Sequence, residues 1–341
     1  MSPSPWPLTS VSVDDLRSRL REHTLRGERD AAWCVASVLH HMGVADTAET
    51  ALFERDAPRN PLPRRKVDRF TWRAGLAHPD EDARISAVFE PLVPALFACV
   101  SASYRAHALR RRDLVDPLTS DLMLGLSWGY VLSCLEPAIR PNLYVVDAPF
   151  GVTDAASRPI PSVVVGAQIG HARGPQLLFA LAYHASFYRT DAFLCTLAAS
   201  AAELRCLFLA AFCIAGLRPP DPEIGPWARQ LGPHIRPVDR EAMGDAAARI
   251  LADGEPIDLR RWAAGVDASA VRAGLLVSGD LGAALDWLRS RTPRGLRGAY
   301  RPPTQQVAEL LTFALSQEYL ELREQLGVRL GEPKGAPTRP G

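Results

Sequence analysis

This 341-residue chain predicts a mostly α fold with a small β-sheet. Apolar residues recur at helical spacing through most of its length, as in Leu177, Leu178, Leu181, Ala182 and Ala185. Only two runs, 143–146 and 162–165, read as strands, each short and rich in β-branched residues. The chain is 47% apolar and 23% charged, enough apolar surface to close a sizeable core around such helices.

The elements follow in order. Residues 1–10 form a Pro/Ser-rich lead. Three helical segments come next, at 13–25, 28–42 and 46–55, with Gly43 breaking the second from the third and Asp46 as N-cap. Ala32, Ala36, Leu39, Gly43 and Ala48 resemble the small-residue pattern of one tetratricopeptide (TPR) unit, so residues 1–60 are expected to be a TPR-like helical segment. The proline-rich stretch 58–65 is the expected linker to a core at 66–330. His78-Pro79-Asp80-Glu81-Asp82 opens a predicted long apolar helix, 82–109, and Arg110-Arg111-Arg112 closes it. Acidic residues at a helix start and basic residues at its end suit the helix dipole, so neither cluster is read as a binding site. A helix at 120–135 precedes the two strands, which a turn-rich stretch, 147–161, separates. Gly166, Gly170 and Gly174 are spaced by four and make neither a dinucleotide fingerprint nor a phosphate loop. Further helices are expected at 176–189, 194–216, 226–231, 240–253, 259–277, 281–289 and 304–326, and residues 331–341 read as a disordered tail.

Composition narrows the function classes. A net charge of +1 supplies no field for nucleic acid or an acidic membrane. Basic residues are almost all arginine, the only lysines being Lys66 and Lys334. The six cysteines (Cys34, Cys99, Cys134, Cys195, Cys206 and Cys213) form no CxxC pair and lie mostly among apolar residues, as small core side chains do in a reducing compartment. The longest apolar run, 206–217, is shorter than the roughly 20 residues of a membrane span. The N-terminus lacks the basic-then-apolar order of a secretory signal, so a cytoplasmic protein is expected.

Chemistry, if any, is expected on the helix at 176–189. Tyr183 and Phe187 stand four residues apart, the spacing at which an HExxH helix places two zinc-binding histidines. Phenyl has no lone pair to offer a metal, and a phenol ligates weakly near neutral pH. Strand 143–146, strand 162–165, the helix at 177–189 and the later segment 266–276 together resemble the core of the zinc metallopeptidases related to the CAAX prenyl protease. In that likeness Tyr183 and Phe187 take the two histidine positions, His184 the general-base glutamate, Asp267 the third ligand and Val271 an aspartate. The resemblance therefore implies a core without its metal site, with no metal, cofactor or catalytic residue carried over. The segments AWCVASVLHHMG, HPDEDARISAVF, VDASAVRAGLL and LLTFALSQEYLELREQLG resemble a domain at the C-termini of large bacterial TPR proteins, which looks like the same peptidase core made inactive.

Three functions are compatible with that reading. A non-catalytic scaffold on a pseudo-metallopeptidase fold, with a protein partner, leads. A hydrolase with a relocated site around His184 and Asp267 is the first alternative, and His184 joining His171 and Asp191 in a displaced metal site belongs with it. A small-ligand or peptide sensor using the vacated cleft of Tyr183, His184, Phe187 and Asp267 is the second. No GxSxG elbow exposes a nucleophilic serine, and Ser186 points to a different helix face from His184.

Overall fold

The computed structural model describes residues 12–57, 62–120, 123–170, 174–291 and 296–330. The expected lead and tail, part of the linker and His171 lie outside them. The fold is mostly α with two small sheets, as the periodicity predicts.

Helices α1 (Val13–Leu25), α2 (Arg29–His41) and α3 (Thr47–Asp56) begin the chain. Asp46 caps α3 by accepting from Glu49 N at 2.8 Å, while Glu49 accepts from Asp46 N at 2.7 Å, a reciprocal box that satisfies two orphan donors. A short helix, α4 (Arg69–Thr71), runs into a π-helical turn, Trp72–Leu76, which periodicity did not predict.

The single helix expected at 82–109 is instead α5 (Ala83–Phe89) and α6 (Val93–Val100), bent by 52°. Pro91 and Pro94 lack the N–H that an unbroken helix would use. Beyond Ser101 the backbone is extended or turning, apart from one 3-10 turn at Arg111–Asp113, so Arg110, Arg111 and Arg112 do not close a long helix. Strands β1 (Ala102–Ser103) and β2 (Leu114–Val115) lie in that stretch.

After α7 (Met123–Leu135) come β3 (Asn142–Val145), β4 (Val152–Ala155), β5 (Ser157–Arg158) and β6 (Ser162–Val165). The main sheet has the order β2-β3-β6-β4, with β3 and β6 parallel and the outer strands antiparallel. A second pair joins β1 to β5. Leu143, Val163 and Val165 face the main core, while Tyr144 and Val164 alternate onto a smaller cluster on the other face.

The remainder is helical: α8 (Ala167–Gly170), α9 (Pro175–Ala185), α10 (Leu194–Leu197), α11 (Ala201–Ile214), α12 (Gly225–Leu231), α13 (Pro237–Asp253), α14 (Leu259–Ser278), α15 (Leu281–Ser290), α16 (Pro303–Ala314) and α17 (Gln317–Gln325). Two predicted single helices are split where a serine caps a new one, Ser200 before α11 and Ser316 before α17. Among the described residues no single helix is long and apolar enough to cross a membrane.

Helix α9 is the hub. Leu177, Phe179, Ala180, Leu181, Ala182 and Ala185 are all buried, and the helix packs on α7, α14, α15 and β4. Its approach to α14 is closest at Gly274, where an added Cβ would lie 2.7 Å from the Phe179 ring.

The N-terminal helices share this core rather than standing apart, since α2 packs on α15 and α16. Arg323 on α17 is 1% exposed and donates to both oxygens of Asp30 on α2, at 2.8 and 2.7 Å. Asp30 also accepts from Leu330 N at 2.9 Å, and the guanidinium lies 5.2 Å from the Trp33 ring centroid. Removing one member of a buried pair strands the other charge, at a cost of about 3–5 kcal/mol. We therefore expect Arg323→Met to lower unfolding stability by that amount in urea titration, and a change under about 1 kcal/mol would show that the pair does not hold the ends together.

Candidate functional site

The residues singled out on α9 stand at the centre of two hydrogen-bonded clusters, each built on a buried carboxylate. In the first, Tyr183 Oη donates to Asp267 Oδ1 at 2.6 Å, across from α9 to α14. Arg291 completes it, donating from Nη1 to Asp267 Oδ1 at 3.0 Å and to Tyr183 Oη at 2.9 Å, and from Nη2 to Asp267 Oδ2 at 2.7 Å. Gln306 from α16 accepts a further bond from Arg291. Burial first, then the Asp267 charge, raises the Tyr183 phenol above its ordinary value. It stays a neutral donor, with its proton committed to Asp267.

The second cluster is built on Asp154 of β4, a residue that the sequence reading left in a turn. Strand alternation puts Asp154 on the face toward α9, where its side chain is 4% exposed. One oxygen accepts from Tyr188 Oη at 2.9 Å. The other is 2.9 Å from His184 Nδ1 and also accepts from Arg297. His184 therefore pairs with Asp154, not with Asp267 as the relocated-site reading expected. Burial opposes the Asp154 charge, yet Arg297 and His184 hold its carboxyl well below the usual range.

An ionised carboxylate only accepts, which assigns the Nδ1 proton of His184 as its donor; the longer 3.2 Å approach of Arg297 Nη1 to that nitrogen is then contact without a hydrogen bond. Nε2 is then the nitrogen that carries the lone pair, and among the described residues it has no hydrogen-bond partner. Burial, the largest influence, keeps the imidazole below its ordinary value of 6.5, against the pull of Asp154.

Phe187 is fully buried, its ring 5.3 Å from Tyr183 and 5.2 Å from the Arg297 guanidinium. Asp267 is buried too, at 3% exposure. The deeper half of the proposed vacated cleft is thus packed with protein. Above it lies an open cleft of about 500 Å³, lined by Phe150, Tyr183, His184, Trp287, Arg291 and Arg297. Trp287 stands edge-on to His184 at 5.9 Å and packs on Tyr183 at 5.4 Å.

These side chains do not fit a catalytic zinc, which needs three protein donors. Phe187 has none, Tyr183 keeps its proton and donates it in a hydrogen bond to Asp267, and Asp267 is bound by Arg291 at both oxygens. Among the described residues no three His, Cys, Asp or Glu side chains converge on one point. Asp191, the other expected member of a displaced site, lies in a different groove beside Arg189 at 3.8 Å. Cys195 is buried, and burial pushes its thiol up. Ser186 Oγ donates to Ala182 O at 2.7 Å, so it turns back along its own helix.

Two groups of the site escaped the sequence reading. Asp154 sits in a four-residue edge strand too polar to register as one, and Arg297 follows α15 in a turn-rich segment with no periodicity. Only the alternation Val152-Thr153-Asp154-Ala155 was there to be noticed.

The buried histidines set the acid response. An unfolded histidine protonates near 6.5, whereas folded His184 resists, so the unfolded state binds more protons below that pH and stability falls. His78, which accepts from Asp80 N at 3.1 Å, is held down to about 4, by burial first and then by Arg272 and Arg301. Urea midpoints should therefore decline from pH 7 toward pH 4, and His78→Gln should remove about 2 kcal/mol of that decline. An unchanged slope in the variant would show that His78 is not held neutral.

No protein-family model, curated protein or solved structure matches this chain.

Proposed function

We propose that this chain is a binding module, not a catalyst, and that its cleft over His184 takes a small ligand or a short segment of a protein partner. The observation that carries this reading is saturation. The groups that could do chemistry are bonded to one another: Tyr183 to Asp267, Asp267 to Arg291, and Asp154 to His184, Tyr188 and Arg297. With His184 neutral, two aspartates offset two arginines, so the floor of the cleft carries no net charge. What it offers is an acceptor at His184 Nε2, the guanidinium of Arg297, and aromatic walls from Trp287 and Phe150. A ligand with a carboxamide or similar donor–acceptor group on an apolar body suits that set, and the volume is within the range of small-molecule sites.

The pseudoenzyme reading has support in the same geometry. The positions that the resemblance equates with metal ligands, 183, 187 and 267, meet in one place and are filled by a phenol, a phenyl ring and a paired carboxylate. A scaffold role is the same proposal when the ligand is a partner's chain segment.

A hydrolase remains the second reading, favoured by one bond. Asp154 holds His184 as the acid of a catalytic triad holds its histidine. Among the described residues, however, no serine, threonine or cysteine is hydrogen-bonded to His184.

The test uses N-acetylphenylalaninamide as probe in ligand-observed NMR. Binding should be seen with the native chain and lost in Gln168→Trp, which fills the cleft mouth without touching either buried cluster. Equal binding in that variant would place the ligand elsewhere and overturn the proposal. So would about one zinc per chain in protein purified without chelator or affinity-tag nickel, lost in His184→Ala, which would point to a relocated hydrolytic site.

A further inference from the structure

A second groove lies on the far side of α14, and its distinguishing feature is Arg272. Among the described residues, every other arginine that is not exposed is in an ion pair: Arg189 with Glu81, Arg291 with Asp267, Arg297 with Asp154, Arg301 with Asp80 and Glu309, Arg323 with Asp30, and likewise Arg17, Arg29, Arg84 and Arg218. Arg272 is half-buried and has no such partner. It makes one hydrogen bond, from Nη1 to Ala77 O at 3.2 Å, and lies over the Phe313 ring at 4.5 Å. Phe313 is itself buried, and among the described residues most of the five N–H donors of the guanidinium have no protein partner. Burial is the largest influence on this cation and lowers its proton affinity, while Glu309 and Glu318 offset its charge only through space, so an anion in direct contact would be favourable.

The groove it lines measures about 640 Å³. Its walls mix apolar groups (Pro79, Ala308, Phe313) with short polar ones (Thr304, Thr312, Ser316). Glu309 and Glu318 also line it, but Glu309 is occupied by Arg301 at 2.7 Å and neither reaches Arg272 as an ion pair.

We propose that this groove binds a free α-carboxylate, the C-terminal end of a short peptide, with the carboxylate on Arg272. A planar guanidinium matches a carboxylate through two parallel N–H bonds. A phosphate dianion matches it less well here, because the two glutamates repel a second negative charge. The hydroxyl of Thr304 suits the peptide backbone, that of Thr312 donates to Ala308 O and keeps only acceptor capacity, and Phe313 with the alanines and Pro79 suits an apolar side chain. The volume takes a few residues, more than a free amino acid would fill. The site is separate from the cleft over His184 and stands without that reading.

The experiment uses a pooled library of N-acetylated tetrapeptides with free C-termini, and the same library as C-terminal amides, in saturation-transfer NMR and then calorimetry on the best binders. The free acids should bind, with affinity falling at least tenfold for the matching amide and for Arg272→Gln. Arg272→Lys should retain part of the binding, because it keeps the charge and loses the fork. Thermal midpoints and circular dichroism of both variants verify that they are folded, and the library is screened in the Gln168→Trp background so that the other cleft does not contribute. A longer peptide of the same final four residues should bind equally if the source is a protein tail, and more weakly if it is a small free peptide. Amides binding as well as acids, undiminished binding by folded Arg272→Gln, tighter binding of inorganic phosphate, or no binding at millimolar peptide would each overturn the proposal.

Discussion

Two carboxylates buried against α9 set the terms for the structure around them. Asp154 reaches the helix from the sheet and Asp267 reaches it from α14, and both side chains are 4% exposed. A buried carboxylate is tolerated only when a cation and further donors accompany it. The two cations are near neighbours in the chain, Arg291 pairing on the α14 side and Arg297 on the sheet side. The tyrosines complete the sets: Tyr183 donates to one carboxylate and Tyr188 to the other.

This arrangement decides the chemistry left to the cleft. Once each aspartate has its arginine, the floor is electrically balanced and His184 stays neutral, its Nδ1 proton spent on Asp154. A neutral, hydrogen-bonding floor between aromatic walls is suited to holding a ligand by shape and a few directed bonds. The same pairing rule recurs at the chain's two ends, where Asp30 and Arg323 join α2 to α17. Among the described residues its one exception in the arginines that are not exposed is Arg272, which makes that exception informative.

Much of the helical framework was readable from local signals. Periodicity placed α1, α2, α9, α14 and α15 close to their observed bounds, and Asp46 capped α3 as its position suggested. The misses have local causes of their own. Two prolines interrupt the apolar run at 82–109, and serine caps at 200 and 316 begin new helices inside stretches that look continuous. Tyr183, His184, Phe187 and Asp267 were each picked out beforehand, and Tyr183 does meet both Phe187 and Asp267. The partner of His184 was not foreseen, because Asp154 lies 30 residues away on a strand too short and polar to be read.

By itself, then, the sequence determined what local physics controls: which segments are helical, which faces are apolar, and that the helix at 176–189 lacks histidines at metal-ligand spacing. Only the tertiary structure decided which charges are paired. An aspartate and an arginine pair or stay apart according to where distant segments are brought, and no spacing in the chain encodes that. Asp154 with Arg297, Asp30 with Arg323, and Arg272 without an ion pair among the described residues are all products of how the helices pack. The cleft and the groove exist at that level alone, because their walls come from segments that touch only in the folded chain.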